Sequence, residues 1–448
     1  MSLNEFTRLA LKYCEKLGAD EAEAFAQSLQ TTEVVLERAE IQNERVKIQR
    51  GIGIRIIKDG KLGFAFASVL SKSSIEETCR NASSLANVSI PNPDWVSLPT
   101  LTKLPKSPSG LYDEKTAQMS GNEVLNIAIQ SYDQARKVDK RVHIDDGKFS
   151  LFSTKIAISN SHGIEAEEKA TLLQGYLICM AKEHGKASSM AFEYDVTRSE
   201  KDFSPEKIGK YAAEKALSSL HPKAVKTFTG KVILDSETAA EILMYPIINS
   251  INADNVQRGR SLFAGKIGEQ VASEKLTLVD DGLLPKGIGS SSFDMEGVSH
   301  QKTSVIKNGK LEGFLHNSFT ANKEKTKSTG NAHREGYNML PLISVSNLIV
   351  KAGKKKLDNL ISQVDKGIIV RRFSGNIRPD SGEFSGIAKQ ASYIEDGEIK
   401  YPLKETMISG NAFYAIKNII EIGSETRPTM LRVYSPPILV DKINILSK

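Results

Sequence analysis

The sequence predicts an α+β protein in two parts, an N-terminal helix-fronted β-meander and a strand-rich, barrel-like C-terminal region. Three observations carry this. Val46, Ile48, Ile52, Ile54 and Ile56 alternate with polar or small residues, the period of a half-buried strand. Long helical patterns recur at 73–88, 114–138 and 205–220. Beyond Gly230 the chain turns to short apolar runs separated by glycine-rich turns.

In chain order, the opening helix buries Leu3, Phe6, Leu9, Ala10, Tyr13 and Leu17, and Gly18 stands where it stops. Strands follow around Ala24 to Gln30, Val34 to Leu36 and Val46 to Ile56, and Asp59-Gly60 between apolar runs predicts a tight hairpin. After the second helix, Pro91 to Gly110 is an extended Pro- and Ser-rich excursion. His143 to Asp195 reads as strands with turns at Asp146-Gly147 and His162-Gly163. His221-Pro222 ends a helix and Lys231 to Leu234 starts a strand, so we divide the chain into domains 1–222 and 223–448. In the second domain, Lys307 to Gly313 and Glu395 to Ile399 repeat the hairpin chemistry, and Leu340 to Val350, Gly367 to Phe373 and Pro437 to Ile445 read as strands.

Composition bounds the function. The 448 residues are 40% hydrophobic and 25% charged with net charge +6, as in a soluble globular protein. Lys354-Lys355-Lys356 is the densest basic run, and no aromatic residues interleave with it as a base-stacking platform needs, so direct nucleic-acid binding is not expected. Cys14, Cys79 and Cys179 are an odd, widely spaced set that fits a reducing compartment. The N-terminus lacks a charged-then-apolar plan, and the longest apolar stretch, near Ala239 to Ile248, is too short for a bilayer, so cytoplasmic residence without a membrane partner is expected.

Several chemistries fail on spacing. Gly259 to Lys266 has five residues between its glycines where a phosphate loop needs four, with Ile267 in place of a magnesium-binding hydroxyl. Gly51-Ile52-Gly53 lacks the third glycine of a dinucleotide fingerprint. Gly382 to Gly386 misplaces its serine for a nucleophile elbow. The seven histidines include no pair close enough to chelate from one element.

The most informative stretch is Lys231 to Gly282. It carries Arg258-Gly259, Phe263, Gly265, Ile267-Gly268, Val271-Ala272-Ser273 and Val279-Asp280-Asp281-Gly282. This run resembles the TldD/PmbA family, also called modulators of DNA gyrase, whose catalytic chains precede it with His-Glu-x-x-x-His. The resemblance continues through Gly313 to Lys323, taken as that family's strand, Thr329 to Pro341, Phe384-Ser385-Gly386, the run to Asn411 and Ser435-Pro436-Pro437. Counting back from Arg258, the motif's His, Glu and second His fall on Met244, Tyr245 and Asn249. Catalytic zinc takes imidazole, thiolate or carboxylate donors and leaves one position open for water. A thioether and an amide do not meet that need. Tyrosine, titrating near ~10, does not replace a carboxylate base. Met244 also belongs to an apolar stripe with Leu243, Ile247, Ile248 and Ile251, so core packing and a vacated site are compatible readings. Pro246 removes the bond back to Ile242 and predicts a distorted helix.

The resemblance implies a TldE/PmbA-type, non-catalytic subunit of a zinc metallopeptidase that hydrolyses unfolded or flexible peptides. It also implies no cofactor in this chain, zinc in a TldD-like catalytic partner, and a heterodimer. The alternative is a homodimeric peptide-binding or regulatory protein, and a third is a peptidase with an unrecognised site. Candidate substrate-binding residues are Asn331, His333, Arg334 and Glu335, in a Gly-flanked loop. Arg334 either holds a peptide carboxylate or carbonyl or makes an exposed loop ion pair. Asp280-Asp281-Gly282 is either a metal-adjacent acid pair or an Asx-type turn.

Overall fold

A computed structural model describes residues 1–37 and 40–447. The N-terminal half is built twice from one plan. The first unit is α1 (Leu3–Lys16), β1 (Glu21–Glu37), β2 (Glu40–Lys58), β3 (Lys61–Ala67) and α2 (Lys72–Val88). A one-turn helix α3 (Glu114–Ala117) then leads into the second unit. That unit is α4 (Gly121–Val138), β4 (Val142–Asn160), β5 (Glu165–Glu183), the short β6 (Lys186–Ala187), β7 (Ala191–Thr197) and α5 (Pro205–Ser218). Central strands β1 and β4 pair antiparallel from Glu23↔Asn160 to Glu37↔Asp146, fusing both units into one sheet.

The predicted details are met by local chemistry. Ser2 and Glu5 form a reciprocal capping box that satisfies free N–H groups at the start of α1. Asp59 and Gly60 take φ of 50° and 71°, the left-handed pair that a two-residue hairpin between twisted strands requires. Two expectations are corrected. The helix predicted over 114–138 is broken, because Ser120 caps a new start with Glu123. Asp146-Gly147 is no turn: β4 runs straight through it, with a bulge between Ile144 and Asp146.

Side-chain alternation divides the sheet into two faces. Ala24, Ala26, Ile52, Ile54 and Ile56 bury against α1 and α2. Val34, Phe149, Leu173 and Leu177 do the same against α4 and α5, so all four long helices lie on one face. The other face, with Phe25, Ile156 and Ile158, packs on Phe293 of the second half.

The second half closes a five-stranded barrel from β8 (Phe228–Leu234) and strands Lys366–Ile377, Glu383–Glu395, Thr406–Asn411 and Ile438–Leu446. Closure follows because Lys366–Ile377 pairs parallel with β8 on one side and antiparallel with Glu383–Glu395 on the other. A second sheet is centred on Leu278–Asp281 and Leu348–Val350. The α+β, barrel-containing class read from the sequence is the observed one. Two segments differ: Ser318–Lys323 is a helix started by the Asn317 cap, and the strand read over 340–350 is two short pieces, Leu342–Ile343 and Leu348–Val350.

The halves are joined by a buried charge quartet. Arg55 on β2 donates to Glu23 on β1 at 2.7 Å and to Glu296 of the second half at 3.2 Å. Arg334 donates to the other oxygen of Glu23, and to the Met295 carbonyl at 3.1 Å, with its guanidinium 5.0 Å from the Phe25 ring centre. All four side chains are 5% exposed or less. Burial pushes the Glu23 carboxyl upward, but Arg334 and Arg55 outweigh it and hold it below the usual carboxylate range. The folded value lies below the unfolded one, so this stabilisation is present above about pH 4 and is lost as pH falls through the folded value. Glu23→Gln is therefore expected to cost about 3–5 kcal/mol at pH 7, because it leaves a buried guanidinium short of its counter-charge. The deficit against wild type should shrink in urea titrations below about pH 4, and a loss under about 1 kcal/mol at pH 7 contradicts this account.

Candidate functional site

The segment aligned with the metal motif is one distorted helix. Asp235 caps it, accepting from the Ser236 N–H at 2.8 Å. Ser236–Ala239 is α-helical, Ala240–Met244 is a π turn in which the Tyr245 N–H bonds the Ala240 carbonyl, and Tyr245–Ser250 completes the run. Pro246 has no N–H to continue the ladder, and the widened turn sits directly before it, so the predicted distortion is a bulge, not a break. Met244 is 0% exposed and packs in the main core of this half. Tyr245 is 40% exposed. The Asn249 side-chain oxygen accepts from Asn255 at 2.8 Å, and its amide donates to the Pro379 carbonyl at 3.4 Å.

Met244, Tyr245 and Asn249 thus do not converge, and their chemistry does not suit zinc. A buried thioether, a phenol and a bonded amide supply neither the donors nor the carboxylate base of a hydrolytic centre. Among the described residues, no three of His, Cys, Asp and Glu are grouped to hold a metal ion. The three cysteines are all buried, and Cys14 and Cys79 face each other at 3.7 Å.

The same helix lines a charged cleft of about 220 Å³ with Glu237, Glu241, Tyr194, Arg371 and Arg427. The Tyr194 hydroxyl donates to Glu237 at 2.6 Å. Glu241, one turn on, is pushed up to about 7 by burial and by the charge of Glu237. Sequence reasoning missed this pair. The signal was available in two acids four apart on an apolar helix.

A second cavity, about 260 Å³, lies between the halves. Gln27, Thr154 and Ile156 form its sheet side, and His300, His333 and Arg432 face them from the second half. The four predicted binding residues all line it, but two are committed elsewhere. Asn331 donates to Asp280 at 2.7 Å and to the Ser344 carbonyl at 3.0 Å, and Arg334 belongs to the charge quartet, so the exposed loop ion pair considered for Arg334 is a buried one. His333 is half-buried beside Arg432, with ring nitrogens 3.4 and 3.5 Å from its guanidinium. Glu335 is open to solvent at the rim, 79% exposed and 3.6 Å from His333.

The Asp280-Asp281-Gly282 run resolves residue by residue. Asp281 accepts from the Leu283 N–H at 3.0 Å, an Asx turn. Asp280 is buried and accepts from Asn331 and, at 2.9 Å, from the Ser346 N–H, while burial pushes it up to about 6. At Gly282 a Cβ would stand 2.2 Å from His300 Nδ1, so the glycine makes room for that imidazole. His300 and Arg432 were not found from the sequence, because their partners lie far away along the chain.

Comparison with known proteins assigns the class. The model for the PmbA/TldA metallopeptidase domain 1 matches residues 22–86, that for the central domain 114–220, and that for the C-terminal domain 227–447. The chain belongs to the PmbA/TldD metallopeptidase family. It is 30% identical to an uncharacterised protein of Methanocaldococcus jannaschii over 92% of this chain and 94% of that one. It is 28% identical to a metalloprotease TldD homolog of Buchnera aphidicola, covering 88% and 83% of the two chains. The crystal structure of TldE from Thermococcus kodakarensis superposes with a TM-score of 0.93 at 25% identity, covering 98% of this chain and 100% of that one.

If Met244 is a packing residue, Met244→Ala should cost about 2–5 kcal/mol in denaturant unfolding without changing the metal content of the purified chain. Gly282→Ala should also destabilise, since the His300 ring must move, and a variant as stable as wild type speaks against the packed imidazole.

Proposed function

We propose that this chain is the metal-free subunit of a two-chain TldD/TldE-type peptidase that hydrolyses unfolded or flexible peptides. The observation that carries the reading is the helix Ser236–Ser250. It is distorted by a π turn and a proline where the metal motif would lie, yet turns Met244 into the core and offers no donor set. Two comparisons support it: the similarity to a chain named TldE over the whole length, and the relation to a metalloprotease TldD homolog. In this reading the partner supplies the zinc, and with it the activation of water and polarisation of the peptide carbonyl. This chain contributes walls and positioning groups to the substrate chamber. Three buried thiols fit assembly in the reducing cytoplasm.

The test is affinity capture of the full chain from its own cells, with metal content and peptide hydrolysis measured on the same sample. The expected outcome is co-purification with a chain carrying the His-Glu-x-x-x-His motif, zinc near one per pair, and hydrolysis of an unfolded peptide by the pair only. One tightly held zinc per chain in the isolated protein, or self-association with no such partner, overturns the proposal and favours the homodimeric peptide-binding alternative.

A further inference from the structure

Two arginines without a carboxylate within ion-pair distance among the described residues line the cavity between the halves, Arg198 buried and Arg432 half-buried. Arg198, on the stretch after β7, is 6% exposed and bonded only to main-chain carbonyls among the described residues: Gly287 at 2.9 and 3.1 Å, Ile288 at 2.6 Å, Thr171 at 3.1 Å and Ser290 at 3.5 Å. Arg432 has long contacts to the two His333 ring nitrogens as its side-chain bonds. A buried guanidinium normally takes a bidentate carboxylate or comparable acceptors, because its five donors are otherwise desolvated without return. Burial lowers the pKa of both arginines, but Arg198 is satisfied by its carbonyls, which leaves Arg432 as the guanidinium with few acceptors among the described residues.

The surroundings hold Arg432 in this position. Its backbone takes φ of 57°, left-handed for a residue with a Cβ. That turn is fixed by the Arg432 N–H donating to the Thr429 carbonyl at 3.1 Å and by the Leu348 N–H donating to the Arg432 carbonyl at 3.0 Å. Nearby anions are otherwise engaged. Glu168 accepts from the Ser291 hydroxyl and, at 3.0 Å and 2.9 Å, from the Ser292 N–H and hydroxyl. Asp280 is held by Asn331 and Ser346. Glu335, exposed at the mouth and 3.6 Å from His333, acts on Arg432 through space, as does Asp280. His300 and His333 are pushed down to about 4 by burial and by Arg432, so near neutral pH both are uncharged and can donate one N–H each. Ile156, Ile288, Met295 and Val345 add apolar surface beside the charged end.

We propose that this cavity is a carboxylate subsite that takes the C-terminal end of a short peptide, with the Arg432 guanidinium as anchor and His300 and His333 as neutral donors beside it. The identification of the carboxylate as a peptide's rests on the proposed function. The anion chemistry does not. At about 260 Å³ the cavity is small beside the ~300–1,000 Å³ usual for ligand sites, room for about a residue or two. Glu335 competes for Arg432 until the ligand arrives, which makes it an attenuator of binding and not a partner.

The test uses the isolated full-length chain and calorimetric titration with N-acetyl-Ala-Ala, its C-terminal amide, and inorganic phosphate. The acid should bind at least about tenfold more tightly than the amide, the ratio expected for a charge-assisted pair, and phosphate should not displace it. Arg432→Gln should abolish the acid-over-amide preference, Arg432→Lys should retain part of it by keeping charge without the fork, and Glu335→Gln should tighten the acid by about twofold or more. Equal binding of acid and amide, binding of neither, or displacement by phosphate overturns the subsite. Preference surviving in Arg432→Gln overturns the assignment of the anchor. If Arg432→Gln does not fold, the acid-amide comparison on wild type and the Arg432→Lys titration decide. No partner chain or zinc is needed, so failure here and failure of the capture experiment are read separately.

Discussion

Glu23, Arg55, Glu296 and Arg334 come from four separate stretches of sequence and meet in one buried quartet. Two charges of each sign cancel, and each acid accepts from a guanidinium Nη2, so desolvation is offset only while the two halves dock in one register. Apolar side chains of similar volume could hold the halves together as firmly. They would tolerate sliding, because dispersion has little direction, whereas a two-by-two charge array does not. The quartet also fixes what lies next to it. Arg334 is two residues from Ala332, whose N–H donates to Asp294 at 3.0 Å, and the Glu296 N–H donates to the same carboxylate at 2.9 Å. The loop bearing His333 and Glu335 is therefore carried to the cavity by the same bonds that join the halves.

The doubled plan of the first half explains why a sheet face is available for that docking. A single helix-strand-strand-strand-helix unit has one face covered by its two helices and one bare. Joining two units through β1 and β4 puts all four helices on the same side and leaves one broad bare face. The second half covers it with Phe293, Met295 and the quartet, and the cavity remains where cover is incomplete, beside Gln27 and Thr154. The family's domain 1 and central domain models, 22–86 and 114–220, fall on these two units in turn.

Much of this was legible in the sequence because it depends on local chemistry. The alternation through Ile52, Ile54 and Ile56, the Asp59-Gly60, Asn308-Gly309 and Asp396-Gly397 turns, and the distortion at Pro246 are each set by residues within a few positions of one another. Position 147 misled because glycine there serves a close approach instead: a Cβ would stand 2.5 Å from Leu177. Gly51 and Gly53, weak as a nucleotide fingerprint, have the same explanation, since Cβ atoms there would meet the Tyr337 ring and carbonyl at 2.2 and 2.0 Å. The candidate loop lines the cavity between the halves, but which of its residues turn inward was not readable. Arg334 turns inward because Glu23 lies 311 positions away in sequence, and no local pattern reports that distance.

The contrast between Arg334 and Arg432 shows how burial and pairing together separate structural from available charge. Arg334 is buried and Arg432 half-buried, and burial lowers the pKa of each. Arg334 recovers its lost hydration from a carboxylate, a carbonyl and an aromatic face. Arg432 recovers little, from two ring nitrogens at 3.4 and 3.5 Å, although its backbone is held in a strained conformation by neighbours on both sides. A fold that only needed to fill this space would gain by an apolar residue there, with no desolvated cation. The quartet and the apolar cluster around Phe293 hold the halves together around this arrangement. In the proposed subsite a carboxylate would supply the acceptors Arg432 finds few of within the chain, and that gain would appear as selectivity for a negatively charged ligand.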